Sequence, residues 1–429
     1  MKTLINWPLS LALACALTGC SKHAADDSSD GVIRLNFWHA MGGKLLPVLD
    51  DLIAEFNAEH PGIEVRGINQ GNYPALSQKL MAAVAAKNPP DLAQAYESWT
   101  TQLIRNDVVV SLSPYIEASL DSTDLADIYP IFIEGNTWDG EVWSFPFNKS
   151  VMSLYYNVDL FEREGLTPPT DWPSWRAVTQ TLTVDEDGDG RPERYGTAGN
   201  VSARLFCTLV FQNGGRVIAA DGSHMEYASP MGIEALDFYR WLVGTKHSRV
   251  GYLSAGFEHQ NDFLAGKVGM ILETSVSLVF MEGKANFQMG LAPIPTGRES
   301  GNVIAGTNVV IFDSGQEARH QAAWQFIQWF SETPQTAQWA AGTGYCPVRR
   351  SALNHPRLLE RFRAHPTLRT VFDQIDDGRL EPTETAWVEG RPWLEEEAIE
   401  SVLRGLAEPE PALKAVARRT DVLLAKERG

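Results

Sequence analysis

The tightest constraint on this chain is an alternation of elements near its start. An apolar strand at residues 32–38 is followed by a helix with apolar positions at Leu45, Leu49, Leu52, Ile53 and Phe56. A second strand (IEVRGI), an alanine-rich helix (ALSQKLMAAVAAK) and a third strand (DLAQAY) come next. Pro47 lies in the first turn of the first helix and Pro61 and Gly62 stop it, while Asn88, Pro89 and Pro90 end the second. Strand–helix–strand repeats of this length close through right-handed crossovers into a parallel sheet. Open parallel sheets bind ligands beyond the carboxyl ends of their strands, where turns expose backbone N–H groups at helix starts. The turns concerned carry Trp38, His39, Gly42, Gly43, Tyr73 and Glu97. His39 reads as a turn histidine bonded to backbone.

Residues 143–157 (WSFPFNKSVMSLYYN) follow a turn at Trp138, Asp139 and Gly140 and break at Pro146; the run beyond it, with Ser150 and Ser153 among Val151, Met152, Leu154, Tyr155 and Tyr156, reads as one strand buried along much of its length. VDLFEREGL then takes up helical spacing and stops at Gly165, Pro168 and Pro169. This stretch therefore leaves one α/β unit and opens another. With 429 residues, 44% hydrophobic and 21% charged, the chain can bury two cores.

Residues 1–19 carry one charge, Lys2, and an apolar run too short for a comfortable membrane span, the pattern of a secretory signal. Leu17, Thr18, Gly19 and Cys20 resemble a lipobox, which implies a lipid on Cys20 as the first mature residue. Residues 20–31 are too polar to order themselves and read as a tether. The net charge of −18 argues against nucleic acid and anionic membrane surfaces as partners, so any captured anion must be held by local donors. Beyond Cys15 and Cys20 there remain Cys207 and Cys346, either one bridge or two buried thiols. No CxxC or HExxH pattern offers a transition-metal site, and no catalytic cofactor is expected.

Residues 183–196 contain DEDGDGRPERYG. Asp185, Asp187 and Asp189 alternate, Gly190 supplies a sharp turn, Arg191 can offer a carbonyl, and Glu193 adds an oxygen, as in the first half of an EF-hand loop. The twelfth position is Gly196 where a bidentate Glu belongs. The expected role is a structural Ca²⁺ site, with a solvated acidic turn as the alternative.

FWHAMGG, GNY, the YE of AYESW, PFNKS, YYN and TGY, in that order between residues 32 and 350, resemble the family 1 extracellular solute-binding proteins of ABC importers, especially the sugar and glycerol-3-phosphate group. The resemblance implies an α/β, two-lobed periplasmic-binding-protein fold, type II-like, with discontinuous lobes and a hinge. The first lobe would comprise residues 32–147 and 302–348, the second 148–301 and 349–429. It implies a lipid-anchored monomer on the periplasmic or extracellular face that captures glycerol-3-phosphate or a glycerophosphodiester by hinge closure and docks on a permease. A neutral oligosaccharide is the alternative ligand.

In this scheme Trp38, Tyr73, Trp99 and Tyr345 supply aromatic faces, with Tyr345 exposed by its glycine. Glu97 accepts from hydroxyls, while Ser150, Ser275 and the N–H of Gly306 donate. Lys149 and Arg391, or Arg379, would meet a phosphate. FLAGKVGMIL (residues 263–272) reads as a helix ending in a turn with Thr274 and Ser275. Residues 292–312 (APIPTGRESGNVIAGTNVVIF) read as a second inter-lobe crossing followed by a strand near Gly306. LEEEAIE reads as a solvated helix face. Where glycerol-3-phosphate binders carry paired tryptophans, this chain has NVSARLF, a departure that bears on the ligand. A glycan hydrolase is the rival class: it needs two carboxylates across a cleft, and Glu97 with Asp139 or Glu273 are the candidates. No GxSxG or metal motif supports it.

Overall fold

The computed structural model describes residues 31–428 except His247. The expected signal, the lipid site at Cys20 and all of the tether but Gly31 lie outside the described residues. Ten strands build the two main sheets: β1 (Ile33–His39), β2 (Ile63–Asn69), β3 (Leu92–Ala95), β4 (Phe145–Ser150), β5 (Met152–Asn157), β6 (Tyr195–Gly199), β7 (Gly251–Leu253), β8 (Val268–Thr274), β9 (Met289–Pro293) and β10 (Ala305–Ile311). The first sheet runs β2-β1-β3-β10-β4 and the second β9-β5-β8-β6-β7. β1 is parallel to β2 and β3, as the alternation at the start of the chain requires.

Each sheet has one strand against the grain. β10 is antiparallel to β3 and β4, and β5 is antiparallel to β8 and β9. Both are the strands the chain enters directly after crossing between sheets. The chain leaves β4 at its carboxyl end, turns at the fully buried Val151, and starts β5 from that same side, so β5 must run opposite to its neighbours. Residues 143–157 are thus two strands in two sheets. The expectation of a single strand fails because both halves are buried and apolar, and nothing local marks the change of partner at Val151.

The two crossings lie side by side. The Asn302 amide accepts from Met152 N (3.0 Å) and donates to Met152 O (2.8 Å), and Asn302–Val303 pairs in parallel with Gly378–Arg379. Arg349 and Ser351 still bond the first lobe, at Asp124 (2.8 Å) and Asp127 (2.6 Å). The helix Leu368–Asp373 packs on β9 of the second lobe.

Aromatic residues fill the space against the first sheet: Phe37 and Phe147 meet edge to face at 5.6 Å, and Phe147 stacks on Trp339 at 5.3 Å. In the second lobe Trp175 and Phe238 pack at 5.3 Å beside Leu154 and Leu205. The helix expected over residues 263–272 is instead the end of the helix Glu258–Leu264, a turn at Gly266 (φ +76°), and β8. The run VGMIL is buried on both faces, so its period cannot separate strand from helix. LEEEAIE is only partly solvated: Leu394, Ala398 and Ile399 are buried in a π-helical turn. Cys207 and Cys346 are both buried free thiols, which closes the disulfide alternative. Among the described residues no helix is long and apolar enough to cross a membrane.

Candidate functional site

The carboxyl ends of both sheets border a cleft of about 710 Å³ where the crossings join the lobes. Tyr73, Tyr96 and Tyr345 line it from the first lobe and Ser150, Ala305 and Gly306 from the crossings; Arg204, Phe257, Glu273 and Thr274 line it from the second.

Tyr73 opens the helix Tyr73–Ala85, whose N-cap Asn72 accepts from Ala75 N at 2.9 Å. Its hydroxyl accepts from Asn148 Nδ2 at 2.8 Å and lies within hydrogen-bond reach of Tyr345. Burial raises the Tyr73 and Tyr96 hydroxyls well above the ordinary range, so both act as neutral donors and acceptors. Tyr345 follows Gly344, a left-handed helix cap at φ +76°. It is 6% exposed and stacks on Trp339, so the glycine turns it into the cleft wall and not out to solvent. Asn148 ties three first-lobe elements together: besides Tyr73 it takes Thr307 N at 3.0 Å and Gln94 Nε2 at 3.3 Å. Gly306 has φ +106°, and a Cβ there would come within 1.8 Å of the Asn148 carbonyl oxygen, so only glycine fits beside this crossing.

The remaining expected residues lie elsewhere. Trp38 and Trp99 pack against a small core beside Ala93 and Val109. Lys149 is 2% exposed and its Nζ bonds Glu97 Oε1 at 2.6 Å, with Asn308 Nδ2 also donating to that oxygen at 3.1 Å. Neither member of this pair lines the cleft. Ser275 is buried at the hinge, its N–H bonded to Val151 O at 2.9 Å and its hydroxyl beside the Cys346 thiol, which burial pushes up to about 12. Arg391 is held by Glu381 (2.8 Å) and Glu395 (3.3 Å), and Arg379 points at the carbonyls of Gly378 and Asp377. Of the carboxylates a glycan hydrolase would need, only Glu273 lines the cleft.

The acidic loop sits apart, between the helix Trp172–Leu182 and β6. Oxygens of Asp185, Asp187 and Asp189 lie within 4.8 Å of one another. Asp185 accepts from Gly188 N and Gly190 N, Arg191 N donates to Asp189, and Glu193 closes the loop through Glu186 N at 2.8 Å.

The residue that motif reading passed over is Arg204. It is the second residue of the helix Ala203–Gln212, directly after β6, with Ser202 capping Leu205 N at 3.2 Å. It lines the cleft, its Nε is buried without a hydrogen-bond partner, and no carboxylate among the described residues pairs with it. Its charge reaches the hydroxyls of Tyr73, Tyr96 and Tyr345 across the cleft. The signal was an arginine at a helix start following a strand, inside the NVSARLF segment that stood out only for lacking tryptophans.

The sequence pattern of the family described as bacterial extracellular solute-binding protein matches residues 51–369. The sn-glycerol-3-phosphate-binding periplasmic protein of Escherichia coli K12 is 24% identical over 443 residues, covering 99% of this chain and 98% of the relative. UgpB from Mycobacterium tuberculosis, solved in complex with glycerophosphocholine, superposes with a TM-score of 0.80 at 22% identity, covering 93% of this chain and 100% of that one. The cyclic α-maltosyl-1,6-maltose binding protein from Arthrobacter globiformis gives 0.78 at 24% identity over the same shares. The structural likeness covers both lobes and carries the two-lobed periplasmic-binding-protein fold.

Proposed function

From the premise that the chain belongs to the bacterial extracellular solute-binding proteins, we propose that it captures glycerol-3-phosphate or a glycerophosphodiester for an ABC importer. The single observation that supports this ligand is Arg204, a cation facing the cleft with no carboxylate at ion-pair distance among the described residues. Lys149 and Arg391 already carry their own counter-charges. A phosphate between Arg204 and the neutral hydroxyls of Tyr73 and Tyr345 gains charge-assisted hydrogen bonds in a poorly solvated place, which offsets the repulsion of an acidic body. Ser150 and the Gly306 backbone border the same space from the crossings. Closure of the lobes about the paired crossings would bury the solute and present both lobes to a permease. The expected lipid on Cys20 would hold the protein at the membrane, and Cys20→Ala should release it into the soluble fraction.

A neutral oligosaccharide is the competing reading, favoured by the tyrosine faces of the first lobe, which can stack on sugar C–H surfaces. A thermal-shift screen separates the two. Glycerol phosphates should raise the melting temperature of the wild-type protein and fail to do so for Arg204→Ala. Stabilisation by maltodextrins alone, undiminished in Arg204→Ala, would replace the phosphate reading with the saccharide one. Turnover of any glycan would sink both.

A further inference from the structure

Nothing bonds the buried Nε of Arg204, and no carboxylate among the described residues pairs with it. Where its guanidinium points therefore depends on its backbone, at the second position of the helix Ala203–Gln212. A helix start leaves its first N–H groups without partners inside the helix, and a first turn that nothing holds frays. Two groups from outside hold this one. Ser202 Oγ accepts from Leu205 N at 3.2 Å, and Glu395 Oε1 accepts from Ala203 N at 2.9 Å. The Ser202 bond is local, whereas Glu395 reaches the helix from 192 positions further along the chain.

Glu395 lies in an unusual piece of backbone. Pro392, inside the helix Thr385–Trp393, has no N–H to give to the preceding turn, and Leu394–Ile399 directly after it form a π-helical turn. Such turns are rare and recur at functional sites. Leu394, Ala398 and Ile399 are buried in the second-lobe core, which fixes the turn as a whole. The Glu395 side chain is 30% exposed and is not among those lining the cleft; its other bond, to Arg391 Nη1, is the longer one at 3.3 Å. It meets the helix start from behind, while Arg204 faces the cleft and the tyrosine hydroxyls of the first lobe.

We propose that Glu395 is a positioning residue for an anionic solute: it holds the first turn of the helix Ala203–Gln212 and so aims Arg204 into the cleft. The assignment rests on the phosphate lying at Arg204. Because the contact is to a backbone N–H, the role needs an acceptor oxygen at that length of side chain and not a negative charge.

Calorimetry with glycerol-3-phosphate, on variants shown by thermal melts to be folded, tests it. Glu395→Ala should weaken binding by about threefold to tenfold, the worth of one hydrogen bond. Glu395→Gln keeps an oxygen within reach of Ala203 N and should restore most of that loss, although it gives up the ion pair with Arg391. Glu395→Asp keeps the charge on a side chain one methylene shorter and should bind as weakly as the alanine variant; it takes the place of Glu395→Ala should that variant not fold. In the Arg204→Ala background, removing Glu395 should cost nothing further, since its effect passes through Arg204. Wild-type affinity in Glu395→Ala or Glu395→Asp, a loss in Glu395→Gln as large as theirs, or additive losses in the double variant would overturn the positioning role and leave the phosphate reading standing. If the wild type does not bind glycerol-3-phosphate, or Arg204→Ala alone binds it unchanged, the phosphate reading fails and takes the assignment with it.

Discussion

The first lobe brings to the cleft side chains already bonded to one another, whereas the second brings an arginine whose buried Nε has no partner. Tyr73 is tied to Asn148, Tyr345 is stacked on Trp339, and the nearby charges Lys149 and Glu97 are spent on each other. Across the cleft, Arg204 has no carboxylate at ion-pair distance among the described residues. Both walls are lined by polar and aromatic residues, so composition alone would rate them alike. The difference is whether each charge has been neutralised by the fold. A neutralised wall is a frame; an unneutralised one selects a ligand.

The sharpest way to break this contrast is to disturb the frame. Lys149→Met leaves Glu97 without its partner, and loss of one member of a buried ion pair costs roughly 3 to 5 kcal/mol. Denaturant melts should show a loss of this order, with Lys149→Met/Glu97→Gln recovering much of it. If instead stability holds and only ligand affinity falls, Lys149 belongs to the binding wall and the contrast is wrong.

Next in size is the contrast between two arginines. Arg204→Ala should weaken a phosphate ester by about tenfold to a hundredfold, the worth of one charge-assisted hydrogen bond, with little change in melting temperature. Arg391→Ala should do the reverse, since it leaves Glu381 and Glu395 unpaired. Matching calorimetry with thermal melts on both variants would expose any exchange of roles.

A smaller effect concerns pH. Hydrogen bonds from Arg361, working against partial burial and joined by His365, lower the Glu282 carboxyl to about 2 from a usual 4.5. A depressed carboxyl stabilises the fold above its unfolded value and loses that contribution as pH falls through its folded value. Stability should therefore decline between about pH 4.5 and 2, and Glu282→Gln should flatten that part of the profile. Because Glu282 is 38% exposed, solvent screening keeps the effect modest. An unchanged acid limb would show that the Arg361 contact is absent in solution.

The smallest effect is expected at the acidic loop, distant from the contrast between the walls. If Asp185, Asp187 and Asp189 hold Ca²⁺, adding calcium should raise the melting temperature by a few degrees and leave solute affinity unchanged, since a ligand that binds only the folded form at a hundred times its Kd adds about 2.7 kcal/mol. A melt indifferent to calcium and chelator would leave a solvated turn.

Much of the architecture was legible beforehand because it rests on local signals. Pro47, Pro61 and the Asn88–Pro90 stop bracket the first helices, and alternating strands and helices admit few topologies. The crossing at PFNKS could be recognised, but its division at Val151 could not, since a strand shows its period and not its partner. The same blindness turned VGMIL into a helix.

The sequence by itself determined the alternating elements at the start of the chain, the family, and a group of polar and aromatic residues near the strand ends, because these depend on residues close along the chain. It could not determine which cations are free. Lys149 meets Glu97 across 52 positions and Arg391 meets Glu381 across ten, while Arg204 pairs with no carboxylate among the described residues. Neutralisation depends on distances of a few ångströms between side chains whose separation in sequence is arbitrary. Only the packing of the two lobes sets those distances, and with them which wall of the cleft still carries charge.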